Sequence, residues 1–140
     1  MRKLVIALIF GLALSASAKE QGTIDQLKAR AAAAEQKHQP ELYSRLAQMQ
    51  LDSASDLYAT NPEQARDLVT QSADSAEKAS AACVASGKRD KKTEIDLRQL
   101  GKRMDDVIRT WAFDDRAQVK SAVQRVETAR SKILDRMFEK

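Results

Sequence analysis

The chain has 140 residues, with 24 bases against 20 acids for a net charge of +4, one histidine and one cysteine. That length suits one domain with a real core and is short for two. A charge this near balance gives no footprint for general nucleic-acid binding, and a lone Cys83 excludes any disulfide within the chain.

The N-terminus reads as an export signal. Arg2 and Lys3 precede an apolar stretch from Leu4 to Leu14, and Ala16-Ser17-Ala18 supplies a small-x-small cleavage pattern before Lys19. About eleven apolar residues fall well short of the ~20 that cross a bilayer, which argues against an uncleaved anchor. No cysteine stands directly after the apolar run, so a lipid on a mature N-terminal cysteine is excluded. Removal of residues 1–18 takes away Arg2, Lys3 and no acid, leaving 122 residues with 22 bases, 20 acids and a net charge of +2. The expected product is periplasmic or secreted. Export without a disulfide framework suits a bacterial periplasm better than an animal extracellular space.

Residues 19–140 are expected to form a single helical domain. Glycine is rare, proline stands only at positions 40 and 62, and alanine is abundant, a composition that favours helix. No stretch alternates apolar and polar residues in the manner of a strand. A short first helix is predicted over residues 23–38, after a loose tail at 19–22. Thr23 to Gln26 resembles a capping box, and Ile24, Leu27, Ala31 and Ala34 share one face. Its small side chains predict weak docking, and Pro40 ends or kinks it.

A first hairpin is predicted over 40–86. Tyr43, Leu46, Ala47, Leu51, Ala54, Leu57 and Tyr58 form one core-facing stripe. Asn61 then caps a second arm, with Pro62 at its first position and Gln64 at its third. Along that arm Ala65, Leu68, Val69, Ser72, Ala76, Ala79 and Cys83 make a narrow line of mostly small residues, closed by Ser86-Gly87.

A second hairpin is predicted over 93–140, entered through the basic turn 88–92, for which partial helix stays open, and a capping box from Thr93 to Asp96. Leu97, Leu100, Gly101, Met104, Val107, Ile108 and Trp111 face inward, with Gly101 marking a close crossing. Asp114-Asp115 starts the last helix, where acids meet the dipole favourably. That helix carries Val119, Ala122, Val123, Val126, Ala129, Ile133, Leu134, Met137 and Phe138 at near-heptad spacing. The fold class is therefore all-α: an up-down bundle of two long antiparallel helical hairpins plus a short N-terminal helix.

Residues that would carry chemistry are sparse. His38 is the only imidazole and Cys83 lies far from it in sequence, on an alanine-lined stripe that reads as a site for a buried, inert thiol. No glycine-rich phosphate loop and no paired-cysteine motif is present, so no cofactor is expected. Glu35-x-x-His38 has the spacing of half a di-metal site but occurs once, and reads as exposed polar residues at a helix end. Trp111 and Phe113 read as plugs at the end of the bundle, and Tyr43 and Tyr58 as core residues with wet hydroxyls.

The densest basic region is Lys88, Arg89, Lys91 and Lys92, with Arg98, Lys102 and Arg103 beyond. Two readings stay open for it: a solvated loop that favours the negative end of the preceding helix, or a patch for an anionic surface or acidic partner.

Leu46, Ala54, Leu57 and Tyr58, followed by Asn61-Pro62, Ala65, Val69 and Ala76, give residues 43–82 a pattern that resembles a tetratricopeptide-type hairpin. The likeness covers about a third of the chain. No tandem copy follows at the ~34-residue period of such arrays, and the first arm lacks their aromatic-glycine signature. The resemblance implies a scaffold that binds protein segments.

The sequence thus points to an exported, non-enzymatic bundle that acts through protein–protein contacts, with an unidentified partner or with itself. The alternative is a holdase-type chaperone or envelope-surface binder that uses the basic turn. Neither reading involves nucleic acid, and neither leaves a transmembrane segment once the signal is cleaved.

Overall fold

With breakers confined to turns, the alanine-rich chain folds as five helices packed against one another, with no strand among the described residues. The computed structural model describes residues 20–139; the stretch read as an export signal, residues 1–18, lies outside them. The described part of α1 covers residues 20–33. It is followed by α2 (Gln39–Leu57), α3 (Pro62–Ser86), α4 (Asp90–Thr110), a 3₁₀ turn at Phe113–Asp115, and α5 (Arg116–Met137). α2 lies along α3, α4 lies along α5, and α5 also packs against α3. Thinner contacts join α4 to α2 and α3.

One apolar cluster runs through all of them. Ile24, Leu27 and Ala31 join Leu46 and Leu51, then Leu68 and Ala76, then Leu97 and Met104, then Val126 and Ile133. The expected stripes are buried along α3 in full and along α2 as far as Ala54, with Leu57 and Tyr58 half-buried at its end. On α4 the burial covers Leu97, Leu100, Gly101 and Met104, while Val107 and Ile108 are half-buried. A Cβ on Gly101 would lie 3.2 Å from Glu127 Oε1 and 3.9 Å from Val126 Cγ1, so α4 and α5 do approach closely there.

Small residues let α2 and α3 meet through backbone as well as side chains. Ser72 Oγ donates to Ala47 O at 2.7 Å, and Ser75 Oγ donates to Gln50 Oε1 at 2.6 Å. Ser80 Oγ makes the same kind of bond from α3 to Ala129 O of α5, at 2.7 Å. These bonds satisfy polar groups that would be costly to bury alone.

Four sequence expectations are corrected. Residues 20–22 are already helical, so Thr23 lies inside α1 and does not cap it; Glu20 accepts from Ser53 Oγ at 3.4 Å, which ties the early part of α1 to α2. At its other end α1 stops at residue 33, short of 38, where Gln39 Nε2 donates to Ala31 O at 3.2 Å and satisfies a terminal carbonyl. α4 starts at Asp90, and Thr93 donates its backbone N–H to Arg89 O at 2.9 Å from within the helix. The turn before it is correspondingly tight, with Gly87 and Arg89 both left-handed at φ 71 and 68. Lastly, Met137 and Phe138 leave the apolar stripe of α5 and are exposed, because α5 ends there with nothing across from them.

Candidate functional site

A groove of about 980 Å3 lies between the C-terminal halves of α3 and α5. It exists because the facing residues are small: Ser80, Ala81 and Ala85 on α3, and Ala129 on α5. Val84 stands in it 39% exposed. Glu77, Lys132, Asp135 and Glu139 give its rim both signs of charge.

Arg136 closes the groove at the end of α3. Its Nη1 donates to the carbonyls of Cys83, at 3.4 Å, and of Val84, and its Nε pairs with Asp90 Oδ2 at 3.4 Å. A cation is favoured there by the negative end of the α3 dipole, although Cys83 O already accepts from Gly87 N at 3.0 Å. Beneath it Cys83 is fully buried and its Sγ donates to Asp90 Oδ1 at 3.0 Å. Burial, reinforced by that bond to a carboxylate, pushes the thiol pKa up to about 12. A thiol held in its protonated form is a poor nucleophile. Cys83 is thus buried, as its place on the alanine-lined stripe suggested.

Near the other end of the molecule, Tyr58 stacks on Trp111 with ring centroids 4.3 Å apart and planes 6° from parallel. The Tyr58 hydroxyl is engaged twice within the chain. It donates to Asp115 Oδ2 at 2.6 Å and accepts from Ala112 N at 2.7 Å. Asp115 also pairs with Arg66 of α3 and makes no capping bond to its own helix. Tyr58 and Arg66 hold its carboxyl below the ordinary value, while the carboxylate raises Tyr58. Trp111 is buried as expected, but Phe113 is 78% exposed, since the 3₁₀ turn that carries it buries no residue.

The basic region is broken up by the fold. Arg89 pairs with Glu41 of α2 at 3.5 Å, and Lys92 with Asp96 at 3.1 Å. Arg103 is paired with Asp52 of α2. Arg98 reaches Glu94 only at 3.9 Å, and that carboxylate is already held by Arg130 at 2.9 Å. Lys88, Lys91 and Lys102 are exposed, and each side chain is without an ion pair among the described residues. What was one cluster in sequence is thus a few free cations beside several neutralised ones.

Glu35 and His38 do not share a helical face. Both are exposed in the non-helical link 34–38, where Glu35 pairs with Lys37 at 3.5 Å. No group of three or more His, Cys, Asp or Glu able to hold a metal ion occurs among the described residues.

The groove and the role of Arg136 were not read from sequence. The small residues of α3 were visible as a line, but nothing local indicates that α5 would be the helix laid beside it. The chain matches no family model, no curated protein and no solved structure.

Proposed function

We propose that this protein is an exported, non-enzymatic helical scaffold that receives an amphipathic helix of a partner protein in the groove between α3 and α5. In this reading the fold is two antiparallel hairpins, α2–α3 and α4–α5, laid side by side with α3 and α5 parallel. The order of the cross-links supports it: Arg66 with Asp115, Asp74 and Glu77 with Arg125, Ser80 with Ala129, and Val84 with Arg136 rise together along both helices.

The groove itself carries the proposal. A floor of alanine and serine lets another backbone approach closely, Val84 offers an apolar contact, and a rim of both signs fixes register. The described side chains show no nucleophile–base pair that would favour an enzyme: the one thiol is buried and hydrogen-bonded to Asp90, and the one imidazole is exposed. No described helix is long and apolar enough to cross a membrane.

A photo-crosslinker placed at Ala85, in cells that make the protein natively, tests this reading. One partner at defined stoichiometry, lost on Ala81→Arg, is the expected result. A broad set of unrelated proteins would replace it with the holdase reading, and no product at Ala85 would overturn it. Sorting the same cells into envelope and cytoplasmic fractions tests export.

A further inference from the structure

α4 carries a second surface, on the side turned away from the core. Lys91, Arg98, Lys102 and Arg109 are spaced seven, four and seven residues apart, and all four are exposed. At ~100° per residue they return to within about 20° of one line, which runs ~27 Å along the helix at ~1.5 Å per residue. The buried residues Leu97, Leu100 and Met104 lie on the opposite side. Arg103 on one flank turns to α2, and Glu94 on the other turns to Arg130 of α5, which leaves the line facing solvent. Of the acids beside the line, Glu94 lies 3.9 Å from Arg98 and is held more closely by Arg130, while Asp105 and Asp106 form no ion pair with it among the described residues.

Two exposed aromatic residues stand near the two ends of α4. Phe113, 78% exposed, follows the end of α4 by three residues. Phe138, 77% exposed, closes α5, whose last turn is tied to the start of α4 by Arg136 and Asp90. Solvent-exposed phenylalanine at both ends of a cationic helix is not explained by packing within the chain.

We propose that the outer face of α4 is a membrane-contact surface for the phosphate headgroups of anionic lipids, with Phe113 and Phe138 as apolar contacts at its two ends. A straight, rigid row of cations matches a planar array of charge, and aromatic rings partition into the interface beneath the headgroups. A soluble polyanion would use the cations and leave the rings without a role. Association lies at the surface, since no described helix can span.

The apolar cluster of the described residues lies entirely after Lys19, so the chain from Lys19 onward is the one to test. It is expected to sediment with vesicles of phosphatidylcholine and phosphatidylglycerol, but not of phosphatidylcholine alone, and to be released by salt. Each of Lys91→Ala and Lys102→Ala should weaken binding about fivefold. Phe113→Ser with Phe138→Ser should weaken it further without changing its salt dependence. The pair Lys28→Ala and Arg30→Ala on α1 removes the same two charges from another face and should leave binding unchanged. Circular dichroism of each variant excludes unfolding as the cause.

Absence of binding to anionic vesicles overturns the proposal, as does an equal loss in the α1 pair. So does binding that ignores the two phenylalanines and is displaced fully by inorganic polyphosphate, which would reassign the row to soluble polyanions. This surface is separate from the α3–α5 groove, so either reading can fail without the other.

Discussion

Asp115 spends its carboxylate across helices instead of on its own helix start. Position suggested that it would meet the dipole of α5; the structure sends it to Tyr58 on α2 and Arg66 on α3. A hydroxyl donor and a guanidinium both favour the charged form, so its folded pKa lies below the ordinary 3.8. A depressed carboxyl pKa adds stability that is present above the unfolded value and lost as pH falls through the folded one. Tyr58 has the opposite sign: its raised pKa adds stability below about 10 that is lost in more alkaline solution. We therefore predict that Asp115→Asn lowers the melting temperature at neutral pH, and that its gap from the parent narrows as pH falls below the ordinary value of 3.8. Thermal melts across that range decide it. A gap of constant size would mean that Asp115 acts through shape and not through charge.

At the scale of elements, legibility follows locality. The α2–α3 turn was readable because its determinants are adjacent: Gln64 N donates to Asn61 Oδ1 at 3.2 Å, Asn61 Nδ2 donates to Gln64 Oε1 at 3.1 Å, and Pro62 opens α3. The α3–α4 turn was misplaced by three residues because Arg89 takes a left-handed conformation that no local signal announces. Asp115 was misread because its partners Tyr58 and Arg66 lie 57 and 49 residues away in sequence. The candidate site divides the same way. Lys91 and Lys102 were legible as charges, whereas the neutralising Glu41 and Asp52 come from another helix. Arg109 completes the row on α4 at a spacing visible in the sequence, but it stands outside the dense cluster that drew the eye. The local turn gives the cleanest prediction at this scale. Asn61→Ala should cost ~1 kcal/mol, read as a lower urea midpoint at unchanged slope, and Asn61→Asp should restore most of it.

For the molecule as a whole, the question is what makes five helices one unit. The ion pairs between α3 and α5 are conspicuous, but most are half-exposed: Arg125 is 31% exposed, and its partners Asp74 and Glu77 are 52% and 46% exposed. Exposed pairs of this kind each contribute ~0–1 kcal/mol and are screened by salt. The apolar cluster that runs from Ile24 to Ile133 is not screened, and it touches every helix. Cohesion should therefore come from the cluster, and the chain should unfold in one step. Trp111 gives a way to see this, because it is the only tryptophan and sits stacked on Tyr58 where α2, α4 and the 3₁₀ turn meet. Its fluorescence reports that end of the molecule, while far-ultraviolet circular dichroism reports all five helices. We predict that the two signals give one coincident urea transition, and that molar salt moves it little. If the fluorescence change came first, or if salt separated the two curves, the α4–α5 pair would be a unit held to the rest by its charges, and the cluster would not be what joins them.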